Sequence, residues 1–408
     1  MPSPFPWRRA LLGVAAIAMA AFASAASAEP LTLAQALERA QAGSPVISAA
    51  EASVRAAEGR ARQAGFRPNP EVSVEVENFN GTGPYSGFES VESTFALEQR
   101  LELGGKRGAR VNAAQAEVEA ARLRVIVARA DVARDVRGAY AEALAAEDRA
   151  VLARQAVERA EDLARVVTTL VDVGREPPLR ALRAQAAVDQ ARAKAQAADA
   201  EAASARRALA TLIGSGEAGF ELVRQDAETA PNDPLDPTES VDVKLAEAET
   251  EAARAAVKRE RTGSAPDVTL QAGVKRFEES GDQAVIIGFS APIPIIDRNQ
   301  GNVAAARADV DGAEARQRQA LADSIRRQRD AEAALRAADA RVLVLETRIV
   351  PQAEEALRLA RLGYEAGKFP LLEVIDAQDA LATSREDLIA ARLDRARAIA
   401  ALQRAAAR

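Results

Sequence analysis

The sequence predicts an α+β membrane protein made of two tandem structural repeats, each pairing a β-hairpin with very long helices. Three observations carry this prediction. From Ala109 to Val173 the chain has no proline and one glycine, Gly138, so it reads as one helix of ~65 residues and ~100 Å. Each half of the chain holds two runs that alternate apolar and polar residues with the period of a strand. The order helix, hairpin, long helix, return helix then occurs twice.

Composition narrows the class. Hydrophobic residues are 48% of the chain, but much of that is alanine and aromatics are 3%, so thin seams between close helices fit better than a large globular core. The net charge of −6 comes from acids and bases mixed along the chain, which argues against nucleic acid as a partner. Cysteine and histidine are both absent. Their absence removes disulfides, thiolate metal sites, the commonest general base and a thiol-linked lipid anchor. No catalytic residue, cofactor or dedicated metal site is expected.

The first repeat spans 29–230, after residues 1–28, which are expected to be a cleaved signal peptide. Arg8 and Arg9 precede an apolar run, and Ala26-Ser27-Ala28 supplies the small residues that a signal peptidase reads. The run is short of the ~20 residues needed to span a bilayer, and no other stretch is apolar enough, so any membrane crossing must use strands. Leu31 to Arg67 is helical with a break at Gly43-Ser44-Pro45, where Ser44 is a plausible N-cap. Pro68-Asn69-Pro70 then forbids helix. A hairpin over 71–103 follows, with Val72, Val74 and Val76 alternating against Glu71, Glu75 and Glu77, and Phe95, Leu97 and Leu101 against Glu98, Arg100 and Glu102. Gly104-Gly105 lets the chain bend into the long helix 109–173, in which Val111, Val118, Val125 and Val132 recur every seventh position. After Gly174 and Pro177-Pro178, a return helix runs over 179–213.

A proline-rich linker, 231–237, separates the halves. The second repeat, 238–408, has a helix over Val241 to Arg261, a hairpin over 268–294, a long helix over 302–364 kinked or split at Pro351, and a return helix over 371–407. Gly104 corresponds to Asp297, and Gly174 to Gly367. Four strands cannot close a barrel, for which about eight is the minimum, so two or three copies must contribute to one wall.

The chain resembles the TolC outer-membrane factor family over nearly all of its length after the leader. The resemblance rests on the tandem repeat, the strand-to-helix corners, and Gly363-Tyr364-Glu365-Ala366-Gly367 followed by Leu371-Leu372-Glu373-Val374-Ile375-Asp376-Ala377-Gln378. Pro68-Asn69-Pro70-Glu71, Glu77-Asn78-Phe79 and Glu98-Gln99-Arg100-Leu101-Glu102-Leu103-Gly104-Gly105-Lys106-Arg107 are similar to the CzcC-like heavy-metal branch. The resemblance implies a homotrimer with a twelve-stranded β-barrel in outer-membrane lipid, continued by a periplasmic α-helical barrel. It also implies a periplasmic adaptor (membrane fusion protein) and an inner-membrane pump of the resistance-nodulation-division type. The expected function is the outer-membrane channel of such a tripartite system, exporting cobalt, zinc and cadmium class cations.

The resemblance places adaptor contacts at the helical tips, which would include Val171, Asp172, Val173, Gly174, Arg175, Glu365, Ala366 and Gly367. Glu373 and Asp376 share a helix face one turn from the tip and match an acidic pair that rings the family's tunnel entrance. Stacked carboxylates there would favour cations. Where the family's best-known member has a basic residue that ties the entrance shut, this chain has Phe369, with Lys368 and Tyr364 as nearby substitutes. Glu71, Glu75, Glu77, Glu98 and Glu102 are expected to face the barrel lumen. Three alternatives stay open: the same duct for drugs or secreted proteins, a periplasmic coiled-coil protein without a pore, and a hydrolase using Glu373 and Asp376.

Overall fold

The computed structural model describes residues 29–407 apart from 217, 225–228 and 231–235. The expected signal peptide and most of the linker lie outside the described residues. A short strand, β1 (Glu29–Leu31), opens the fold and leads into α1 (Leu33–Gly43), whose N-cap Thr32 forms a capping box with Gln35. Ser44 caps α2 (Pro45–Ala64) by backbone geometry alone, with Pro45 at the first helical position and no side-chain cap bond. Strands β2 (Glu71–Glu77) and β3 (Glu92–Leu101) follow, then α3 (Lys106–Asp172) and α4 (Pro178–Leu212).

The second half repeats this order. After β4 (Phe220–Leu222), α5 (Val241–Thr262) precedes strands β5 (Val268–Phe277) and β6 (Gln283–Ser290). Helix α6 (Gln300–Val344) passes through a π-turn at Leu345–Ile349 into α7 (Val350–Glu365), and α8 (Leu371–Ala405) returns. The break expected at Pro351 is thus absorbed one turn earlier. The π-turn leaves Pro351 in the first turn of α7, where its missing N–H costs no helical bond.

Two expected boundaries shift for physical reasons. The second hairpin was expected to run to 294, but β6 stops at Ser290 because Pro292 and Pro294 cannot donate to a ladder. The first hairpin ends at Leu101 rather than 103, since Glu102 turns away to Arg110 of α3. The corner correspondence also moves. Both long helices start from a left-handed N-cap, Gly105 with φ +75° and Asn299 with φ +61°, so Gly105 rather than Gly104 is the partner of the second corner, and that partner is Asn299. Asparagine tolerates this conformation because its short polar side chain bonds locally. Its Nδ2 donates to the carbonyl and carboxylate of Glu260 at the end of α5, at 2.8 and 3.0 Å.

β2, β3, β5 and β6 form one antiparallel sheet in that order, and β2 and β6 are its open edges. A separate parallel pair, β1 with β4, ties the start of the chain to the segment after α4. Neither three-residue strand was expected. Tyr140 of α3 fastens this pair to the long helix, its buried hydroxyl hydrogen-bonding to the carbonyls of Leu31 and Val223. The densest core surrounds it: Leu31, Ala36, Ile47, Val136, Leu209, Phe220 and Leu222 pack together near the middle of α3. Elsewhere the helices meet through small residues, such as Ala146, Ala150 and Ala202 between α3 and α4. Of the valine heptad, Val118, Val125 and Val132 are buried and Val111 half-buried.

The two halves are also joined by charge. Arg404 of α8 is 9% exposed and reaches Asp131 of α3 at 2.6 Å and both carboxylate oxygens of Asp242 in α5 at 3.0 Å. A buried guanidinium with two carboxylate partners is tolerated because its donors are answered.

Candidate functional site

The sheet has two chemically distinct faces. Val72, Leu97, Ala272 and Ile287 stand in one row across the four strands, and Val74, Phe95, Val274 and Val285 in the next. On the other face the rows read Glu71, Glu98, Gln271 and Gly288, then Ser73, Ala96, Gly273 and Ile286, then Glu75, Thr94, Lys275 and Ala284. The apolar face is the open one, with Ile287 at 84% and Phe289 at 79% exposure, whereas Ala96 and Thr94 on the polar face are at 5% and 7%. The sheet therefore curls toward its carboxylates. Gly273 permits the curl, since a Cβ there would collide with Phe95 and Ala96 of β3. No helix among the described residues is long and apolar enough to cross a membrane.

The five strand carboxylates are not equivalent. Glu71 and Glu75 are exposed on β2, and Glu98 accepts from Ser73 at 3.1 Å and Gln271 at 3.4 Å. Glu77 shares the Lys275 ammonium with Glu92, at 2.8 and 2.6 Å. Glu102 stands past the strand end, in a two-pronged bond to Arg110 at 2.5 and 3.1 Å. That hydrogen bond holds its carboxyl below the usual glutamate range despite partial burial. Arg110 also donates to the carbonyls of Ala64 and Phe66 at the end of α2, and Arg107 donates to that of Gly65. Glu102 is thus part of a corner brace rather than a free carboxylate.

At the far end of the helices, the two tips close with the same bonds. Gly174, at φ +72°, donates to Val171 at 3.0 Å while Arg175 donates to Leu170 at 2.9 Å. Gly367, at φ +68°, donates to Tyr364 at 2.9 Å while Lys368 donates to Gly363 at 2.8 Å. Both are the paired bonds of a helix ended by a left-handed glycine. Pro177 and Pro370 then occupy the same place before the return helices.

Glu373 and Asp376 of α8 fall at the positions of Arg180 and Arg183 in α4, so the two tips carry opposite charge at matching places. Glu373 and Asp376 are both exposed, while Val374 between them is buried against Leu357, Ala360 and Leu381. Glu373 also lies in the first turn of α8, where the helix dipole favours a carboxylate. Lys368 is exposed, whereas Tyr364 packs on the Leu357–Leu381 cluster, so its ring supports the tip from within. Of the expected contact residues, Asp172, Val173, Gly174, Arg175, Glu365, Ala366 and Gly367 are exposed and Val171 is half-buried. Val173, Leu179, Leu182, Phe369 and Leu372 add exposed apolar surface; apart from Val173, these were not among the expected residues. Among the described residues, no group of three or more acidic side chains could hold a metal ion.

The sequence profile of the family described as outer membrane efflux protein matches residues 36–215 and 238–408. The chain is 33% identical over 370 residues to the cobalt-zinc-cadmium resistance protein CzcC of Cupriavidus metallidurans, covering 88% of this chain and 86% of that protein. It is 36% identical over 312 residues to the nickel-cobalt-cadmium resistance protein NccC of Alcaligenes xylosoxydans xylosoxydans, covering 75% and 70%. Among solved structures, the outer membrane protein VceC of Vibrio cholerae shares the fold, with a TM-score of 0.77 at 24% identity, over 92% of this chain and 96% of that one.

Proposed function

The chain belongs to the outer membrane efflux protein family, and from that premise we propose that it is the exit duct of a tripartite pump exporting heavy-metal cations of the cobalt, zinc and cadmium class. One observation carries the duct: a four-stranded sheet with both edges open, an apolar face turned out and a carboxylate face turned in. Unpaired edges cannot remain in lipid, where every backbone N–H and C=O needs a partner. Strands from further copies satisfy them. Three copies give twelve strands, the number the family resemblance implies, and place the apolar rows against hydrocarbon. α3 and its partners then leave the membrane as a helical tunnel in the periplasm.

The metal assignment rests on the relatives CzcC and NccC and on the chemistry of the lining. Glu71 and Glu75 offer exposed, hydrated carboxylates that attract divalent cations and release them, whereas thiolates or imidazoles would hold them, while Glu77 and Glu98 are partly engaged by Lys275 and by Ser73 and Gln271. At the periplasmic end, Glu373 and Asp376 attract cations to the entrance, and Arg180 and Arg183 supply the opposite charge on the neighbouring tips. The exposed Val173, Leu179, Leu182, Phe369 and Leu372 offer the tips as the docking surface for a periplasmic adaptor, which links the duct to a resistance-nodulation-division pump. No chemical step is assigned to any residue.

A planar-bilayer recording of the purified protein tests the duct directly. Cation-selective channels are expected. A preparation that folds and inserts yet never conducts would leave a rod rather than a pore.

A further inference from the structure

Far from the strands, and just behind the Leu357–Leu381 cluster that supports the second tip, α3, α7 and α8 line a cavity of ≈ 210 Å³ that is open on one side at Arg361. Three guanidinium side chains line it, one from each helix: Arg159, Arg361 and Arg385. Gln378 adds a neutral amide, Leu357 and Leu381 add apolar wall, and no carboxylate lines the space among the described residues. Arg385 is paired outside it with Glu354 at 2.9 Å. Arg159 and Arg361 make no hydrogen bond or ion pair with any described residue.

Like charges gathered in one partly desolvated space repel, and a guanidinium cannot escape by losing its proton. Arg159 registers this. Burial, then Arg385 and Arg361, hold its pKa below the ordinary guanidinium value, against the weaker opposing pull of Glu158 and Asp379. The missing partner is an anion. Planar, multi-donor guanidinium groups from three directions, with an amide beside them, match the several acceptor oxygens of a tetrahedral oxyanion.

We propose that the cavity bounded by Arg159, Arg361 and Arg385 is a binding site for a small tetrahedral dianion of the phosphate or sulfate kind. The bound anion clamps α3 to the α7–α8 pair. Its source is the free ion rather than a lipid headgroup, because Arg159 lies 53 residues along α3 from Lys106 at the membrane corner, or ~80 Å of helix. The site uses none of the entrance carboxylates, although Gln378 follows Asp376 by two residues on α8, and it stands whatever cargo the duct carries.

The test uses the purified full-length protein in detergent, unfolded by heat in sodium phosphate or sodium chloride at matched pH and ionic strength. A saturable rise in Tm with phosphate is expected, since a ligand that binds only the folded state stabilises it by mass action. R159Q and R361Q should each raise the phosphate concentration at half-effect by about tenfold or more, the loss of a charged hydrogen-bond donor. R358Q, one residue type and one turn away but paired with Glu355, should respond as the parent. Crystals soaked in selenate should show an anomalous peak between the three arginines. Absence of a saturable rise, equal midpoints in R159Q, R361Q and the parent, or selenate bound elsewhere would each overturn the proposal. Arg361 is exposed, so R361Q keeps the test open if R159Q does not fold.

Discussion

The ring of Phe369 occupies the space that a side chain at Gly363 would need, so that any Cβ on Gly363 would collide with it. The same glycine offers its carbonyl to the N–H groups of Lys368 and Phe369, at 2.8 and 3.2 Å. Backbone turn and aromatic seat are therefore set by one residue. Gly363→Ala should displace the ring and loosen the turn, an overpacking cost of about 1–3 kcal/mol. Faster hydrogen exchange at residues 366–369 would report it. Adding Phe369→Ala to the same chain should restore part of the protection, because the clash is gone; no restoration would mean that the ring is not what fills the space.

Charge at the tips gives a paired prediction. Glu373→Ala with Asp376→Ala should lower cation selectivity, read as a reversal potential under a salt gradient. Arg180→Ala with Arg183→Ala, at the matching positions of the other tip, should raise it. Both effects should shrink at high ionic strength, where the Debye length falls to about 3 Å at 1 M. Unchanged reversal potentials in both variants would remove these residues from the conduction path.

Acid should weaken the strand-to-helix corners. The Arg110 hydrogen bond lowers the Glu102 pKa, and the Asn299 and Arg259 bonds lower that of Glu260. A carboxyl with a depressed folded pKa contributes stability that is fully present above its ordinary value, 4.5 for these glutamates, and is lost as pH falls through the lower folded value. Thermal unfolding should therefore be flat with respect to these two groups above about pH 5 and weaken on acidification below 4.5. Glu102→Gln should remove part of that acid dependence while costing stability at neutral pH. An acid limb of the same depth in Glu102→Gln would contradict the assignment.

Arg404 is the most buried ionic joint between the halves among the described residues. Arg404→Met keeps much of the packing volume but strands Asp242 and Asp131 without their partner, and breaking a buried pair on one side costs about 3–5 kcal/mol. Part of the Asp242 charge is still met by Arg327 at 3.0 Å, which places the expected loss at the lower end. Denaturant unfolding of the single variant against Arg404→Met with Asp242→Asn should show recovery in the double; strict additivity would mean that the ions do not interact.

Much of this architecture is legible in the chain because its signals are local and repeated. A proline-free, alanine-rich run must be helix, strict alternation must be strand, and glycine followed by proline must turn, so α3, the two hairpins and both tips could be drawn from residues alone. Non-local choices could not. β1 and β4 are three residues each and exist because residues 29–31 and 220–222 meet around Tyr140, which no periodicity announces. Glu102 continues the alternation of β3 yet faces a corner arginine, since a period cannot say where a strand stops. The opposed charges of Arg180 and Glu373, or Arg183 and Asp376, emerge only when the hydrogen bonds of the two tips are aligned. Arg159, Arg361 and Arg385 stand on three helices, and nothing in their spacing foretells a shared cavity.

Growth under metal challenge tests the duct for heavy-metal cations most directly. Cells deleted for this chain should lose tolerance to zinc, cobalt or cadmium and regain it when the chain is restored. Unaltered tolerance to all three, with sensitivity appearing only to organic drugs, would contradict it.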